Sequence, residues 1–164
     1  MRKILLTGLG TGYLPVAPGT WGSAAAVLIW LAGAAALSAA GCDPWWLAGA
    51  TILAISAASA ICAVLGDYAI ALWRSADPSQ VVIDEFAGQW VSLLPAAFVP
   101  AGRPQLIAAS VAFILFRALD VIKPPPARRA ESLPAGVGIL ADDLLAGAYA
   151  AIGLGVVILF AGVS

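Results

Sequence analysis

Four stretches of this chain stay apolar for about the 20 residues that a helix needs to cross a bilayer. They run over Thr20–Ala40, Trp45–Leu65, Gln105–Ile122 and Leu144–Val163. Hydrocarbon offers no partner to a free backbone amide, so each such segment must close its own hydrogen bonds as a helix. A fifth segment, Phe86–Val99, is shorter and carries Pro95. It either spans by starting its helix near Asp84 or forms a kinked or re-entrant piece. The chain is 62% hydrophobic and 10% charged, whereas soluble domains run nearer half and a quarter. Small residues, as in Ala24-Ala25-Ala26 and Gly147-Ala148, let helices approach closely where lipid removes the hydrophobic drive between them. The expected fold is all-α, an integral membrane bundle of about five spans forming one membrane-embedded domain over residues 1–164. No long apolar run follows Met1-Arg2-Lys3, so no cleavable signal peptide is expected.

Basic residues give the bundle a direction. Arg2 and Lys3 precede the first span, Arg74 follows the second, and Lys123, Arg128 and Arg129 follow the fourth. With the N-terminus in the cytoplasm, only Arg103 falls outside, as the positive-inside rule prefers. Segments of about 1–20, 66–85 and 123–143 then share the cytoplasmic side. Trp45, Trp46 and Trp73 read as markers of the membrane–water interfaces.

That topology gathers the acidic residues. Five of the nine stand in three places, Asp84-Glu85, Asp120 and Asp142-Asp143, each against an apolar run. Carboxylates beside hydrocarbon face a partner, a water-filled cavity or a metal. Asp84-Glu85 opens the third span and Asp142-Asp143 the fifth, so both pairs also read as helix-end residues that complement the macrodipole. Arg117, Asp120 and Lys123 follow each other at i,i+3 on one helical face. They form either a salt-bridge ladder or a site in which Asp120 meets a cation and Arg117 or Lys123 meets phosphate oxygens. Pro124-Pro125-Pro126 stops that helix. Double aspartate supplies the hard oxygens that magnesium prefers. Asp67 and Asp77 are lesser candidates, one a solvated helix residue and the other in a turn.

The segment Gly8–Ser23 is rich in glycine, with Gly-x-Gly-x-Gly at its start. No βαβ pattern follows, which excludes a dinucleotide fingerprint. A glycine turn running into a helix can still offer amides to phosphate. Gly19, Thr11, Thr20 and Ser23 are the candidates there; the plainer reading is a loop that caps the first span. The chain has no histidine, which excludes histidine-based phosphatases. Cys42 and Cys62 read as small hydrophobes. A net charge of −1 and the absence of a basic run leave no nucleic-acid partner.

Four blocks in order resemble the phosphatidylglycerophosphatase A family. They are Pro18-Gly19-Thr20-Trp21-Gly22-Ser23, Ile83-Asp84-Glu85-Phe86, Phe116-Arg117-x-x-Asp120 with Lys123-Pro124, and Gly138-Ile139-x-x-Asp142-Asp143-x-x-Ala146-Gly147. Their order and spacing match over roughly residues 7–150. The resemblance implies a magnesium-dependent enzyme of the bacterial inner membrane that takes the terminal phosphate from phosphatidylglycerophosphate, leaving phosphatidylglycerol. It implies that Asp84, Glu85, Asp120, Asp142 and Asp143 bind one or two Mg²⁺ at the cytoplasmic lip, with Lys123 as a further catalytic residue. Lys123, Arg117, Gly19, Thr20, Ser23 and Thr11 would contact phosphate or substrate. The nucleophile, water or an aspartate, stays open. The chief alternative is a small cation transporter, which would place acidic residues at several depths.

Overall fold

A computed structural model describes residues 1–76, 78–122 and 135–162, with backbone alone for 135–137 and 139. Among these residues every regular element is helical: α1 Arg2–Leu6, α2 Pro18–Ala39, α3 Pro44–Trp73, α4 Ile83–Leu93, α5 Arg103–Ile122 and α6 Ala135–Ala161. Short 3₁₀ turns occupy Thr11–Tyr13 and Leu94–Phe98. Among the described residues, four helices are long and apolar enough to cross a membrane: Pro18–Ala39, Pro44–Trp73, Arg103–Ile122 and the Leu140–Ala161 part of α6. These four helices are consistent with the expected bundle of about five spans, the third in chain order being built differently.

That crossing is α4 followed by the 3₁₀ turn. Its 11 α-helical residues are too few to span. Pro95 near the start of the 3₁₀ segment cannot donate to a continuing helix, so the last stretch tightens instead. Such a backbone is tolerated at membrane depth because protein surrounds it. Helix α4 packs against α2, α3, α5 and α6, and Asp84, Phe86, Ala87, Gly88, Gln89 and Ser92 are all buried. The burial also explains how polar residues survive there. Gln89 Nε2 donates to Ser92 Oγ at 2.8 Å, and Ser92 Oγ donates to the Gln89 carbonyl at 2.7 Å.

Proline sets the starts of the long helices. Pro18 and Pro44 sit in the first turns of α2 and α3, where a missing N–H costs nothing. Helix α3 does not stop at Leu65. Gly66 weakens the helix without ending it, and no proline intervenes; the helix runs to Trp73, where the Arg74 backbone turns left-handed at φ 55°. Thirty residues rise about 45 Å at 1.5 Å each, so the last turns stand clear of a hydrocarbon core about 30 Å thick. Helix α1 leans on that projection: Leu6 is fully buried, Arg2 lies over the Tyr68 ring, and the Leu6 carbonyl accepts from Val82 N–H at 3.0 Å. Trp73 packs partly against the same core. Trp45 and Trp46, at the opposite end, are widely exposed.

Helices α4 and α6 cross on glycine. A Cβ on Gly147 would collide with the Gly88 backbone, and one on Gly88 would meet the Asp143 backbone and the Phe116 ring. This contact draws Asp143 against α4. Gly147→Ala is expected to destabilise the protein by about 1–3 kcal/mol, because backbone atoms cannot yield as a side chain can. Loss of helical circular dichroism on heating in detergent measures it; an unchanged transition would contradict the crossing.

Candidate active site

The loop before α4 brings Asp84 and Glu85 into its first turn. Neither caps the helix in the usual way, since the N-cap residue is Val82 and no side chain caps it. Asp142 and Asp143 were expected to open the fifth helix. They lie inside it instead, because α6 begins at Ala135, directly after Pro134 in the sequence, a residue that favours helix starts. A helix-end role for this pair is thereby removed. Both are buried, at 8% and 5% exposure, inside an otherwise apolar span. Something other than capping must account for them.

Asp120, Asp142 and Asp143 each present an acidic oxygen, and the three lie within 4.8 Å of one another. Asp120 and Asp143 stand within hydrogen-bonding reach, and the charges of Asp84 and Glu85 also bear on Asp143. Like charges this close repel strongly at low local dielectric, so the cluster demands a cation or shared protons. The donor set suits magnesium. Three hard carboxylate oxygens this close together could serve one such ion.

Glu85 is held differently. Its Oε2 takes an ion pair from Arg117 Nη1 and lies 3.0 Å from Ser23 Oγ. The same Arg117 nitrogen is 3.1 Å from Asp120 Oδ2 and donates to Ser23 Oγ at 3.4 Å. Arg117, on α5, therefore ties Glu85 of α4 and Ser23 of α2 to Asp120 of the aspartate cluster. The i,i+3 pairing of Arg117 with Asp120 occurs as the ladder reading expected. Lys123, its third member, lies outside the described residues, as do Pro124-Pro125-Pro126, Arg128, Arg129 and Asp77.

The glycine-rich segment backs onto this arrangement. Gly19 packs so closely on the Glu85 carboxylate that a Cβ there would overlap it, and a Cβ on Gly12 would likewise collide with the Gln80 carbonyl. Ser23 Oγ is 2.9 Å from the Gly19 carbonyl, so its hydroxyl is shared between that group and Glu85. Thr11 turns to its own backbone, with Oγ1 donating to the Gly8 carbonyl at 2.9 Å. Thr20 is half-buried in the first turn of α2, and Asp67 is exposed on α3. Cys62 is buried, and neither it nor Cys42 is in a disulfide, consistent with small apolar residues. Gln89 and Ser92 drew no expectation from sequence. They follow Glu85 at i+4 and i+7, on the same face of α4.

Comparison with known proteins accords with the geometry. The family profile of phosphatidylglycerophosphatase A matches residues 4–158. A Haemophilus influenzae protein named phosphatidylglycerophosphatase A is 38% identical over 154 residues, covering 91% of this chain and 83% of its own. An Escherichia coli protein of the same name is 32% identical over 151 residues, covering 90% and 78%. A Bacteroides thetaiotaomicron protein, provisionally named a phosphatidylinositol-3-phosphatase, is 36% identical over 151 residues, covering 87% and 84%. No solved structure matches the chain significantly. With four motif blocks, a membrane bundle and a profile match over nearly its whole length, the chain belongs to the phosphatidylglycerophosphatase A family.

Proposed function

We propose that this enzyme hydrolyses phosphatidylglycerophosphate to phosphatidylglycerol and phosphate at a magnesium–carboxylate site on the cytoplasmic face of a bacterial inner membrane. The observation that carries the reading is the meeting of Asp120, Asp142 and Asp143 within 4.8 Å at one end of a membrane bundle. A lipid's acyl chains stay in the leaflet while its phosphomonoester sits at headgroup depth, where this end of the bundle lies. Arg2, Lys3 and Arg74 stand at the same end and Arg103 at the other, which supports the cytoplasmic assignment.

Asp120, Asp142 and Asp143 would hold the ion, with Asp84 and Glu85 beside them. Bound magnesium supplies charge neutralisation for the phosphomonoester and makes water a stronger nucleophile. Arg117 is engaged on two carboxylates, so its first task is to fix Glu85 and Asp120. The phosphoryl oxygens are assigned to Lys123, three residues beyond Asp120. Hydrolysis adds a water oxygen to phosphorus, breaks the bond from phosphorus to the glycerol oxygen and leaves that oxygen protonated. Phosphoryl transfer is mostly positioning and charge stabilisation, so carboxylates, a cation and a lysine suffice without histidine.

The name of the Bacteroides relative favours testing a second headgroup, phosphatidylinositol-3-phosphate, in the same assay. Purified protein in mixed micelles is expected to release phosphate from phosphatidylglycerophosphate about tenfold faster or more, a margin that a few headgroup contacts supply. Chelation should lower the rate at least about 100-fold and added magnesium restore it. Chelator-insensitive release would remove the metal from the reading. Cation flux into liposomes without phosphate release would favour the transporter alternative.

A further inference from the structure

Residues 9–21 expose an unusual set of side chains for a connecting segment. Leu9 is 71% exposed, Tyr13 56%, Leu14 40%, Val16 73% and Trp21 53%. The segment is not loosely attached. Its inner side packs Gly12 on the Gln80 carbonyl and Gly19 on the Glu85 carboxylate, so it forms a wall of the candidate site. Leu9 and Ala17 take left-handed backbone, at φ 61° and 49°, a conformation that costs such residues free energy. The fold accepts that cost at both sides of the 3₁₀ turn and presents the apolar side chains outward.

Depth and continuity say what covers them. From Trp21 to Ala39, α2 rises about 27 Å at 1.5 Å per residue, close to the hydrocarbon thickness of about 30 Å. Trp45, which meets Phe98 edge-on with ring centroids 4.8 Å apart, and Trp46 mark the far boundary. Trp21 then stands at the near boundary, and the backbone of residues 9–17 lies just beyond it, close enough for the apolar side chains of Leu14 and Val16 to dip into the upper acyl region. The patch continues into the exposed outer face of α2 at Leu28 and Ile29. Arg2 and Lys3, also exposed, add attraction to anionic headgroups.

We infer that residues 9–21 form a collar embedded in the leaflet at the carboxylate end, over which a glycerophospholipid passes to bring its headgroup against the Gly19–Glu85 wall. The role in substrate access rests on the phosphatase reading above; the depth of the collar does not. The collar explains why a wall of the site is apolar outside and glycine inside. Large side chains hold the acyl region, and the missing Cβ atoms leave room for the carboxylate.

Two measurements on the full-length protein test this, in vesicles of phosphatidylethanolamine and phosphatidylglycerol. In a Cys42→Ser, Cys62→Ala background, nitroxides placed by Leu14→Cys and Val16→Cys should collide more with oxygen than with a water-soluble nickel chelate. The reverse order would overturn the collar. On long-chain phosphatidylglycerophosphate, Leu14→Asp with Val16→Asp should raise the apparent surface KM about tenfold while kcat changes less than about twofold, the pattern of lost binding with chemistry intact. An unchanged KM, or a fall in kcat alone, would overturn the access role. If the unmodified protein releases no phosphate at all, the phosphatase reading fails and the nitroxide result still decides the collar.

Discussion

Asp142→Asn is expected to lower phosphate release about 1000-fold, worth roughly 4 kcal/mol of transition-state stabilisation, while leaving the fold at least as stable when metal is withheld. The two halves of this expectation have one cause. Asp142 is buried in the interior of α6, and its Oδ1 accepts from Asp143 N–H at 3.1 Å. Asparagine keeps the shape and can keep that bond. It removes one charge from a group whose acidic oxygens lie within 4.8 Å of one another, and without a cation that relieves repulsion. With magnesium the order reverses. An ion that binds only the folded protein stabilises it by about 2.7 kcal/mol at 100 times its dissociation constant, and a site short of one ligand gains less. Melting curves in chelator and in magnesium, run beside phosphate release, separate the contributions. A variant that retains turnover and the full magnesium-dependent shift would sink the assignment of Asp142.

The sequence made this site legible to unequal depth. Span positions could be read because about 20 apolar residues admit one solution in lipid. The common end of the carboxylates followed from alternating spans, since each acidic place adjoins a span end on the same side. Helix limits were less legible. Nothing local told that α3 runs on to Trp73, because the residues after Leu65 suit both a helix and a polar connection. Nor did spacing reveal that α6 starts at Ala135 and carries its aspartates inside. The glycines at 136 and 138 weaken a helix without forbidding one.

The division among the five carboxylates was hidden for a different reason. Residues 85 and 117 are far apart in the chain, and their pairing depends on how α4 and α5 pack. Adjacent in sequence, Asp84 and Glu85 looked equivalent. Successive positions on a helix differ in direction by about 100°, so Glu85 reaches Ser23 and Arg117 while Asp84 Oδ1 accepts from the Glu85 N–H at 3.0 Å. The glycine-rich turn looked suited to phosphate because glycine exposes backbone. Gly19 in fact makes room for the Glu85 carboxylate, which only tertiary contact could reveal.

Arg117→Met is the complementary experiment, and here stability is expected to fall. Methionine retains an apolar stem but deletes the charge that faces Glu85, Asp120 and Ser23. Removing one partner from a buried ion pair costs about 3–5 kcal/mol when the other charge is left alone. The Arg117 and Glu85 side chains keep 19% and 16% exposure, so some hydration survives and about 2–3 kcal/mol is the expected loss. Adding Glu85→Gln removes the stranded carboxylate and should recover at least about 1 kcal/mol, a coupling measurable by a double-mutant cycle in detergent. A guanidinium that served mainly to bind substrate phosphate would behave otherwise. Its loss would raise KM, leave the thermal transition in place and show no coupling to position 85. Recovery of stability in the double variant without recovery of turnover is the outcome that fits Arg117 as the clamp joining α2, α4 and α5, because Glu85→Gln restores charge balance but not the guanidinium's hold on Asp120.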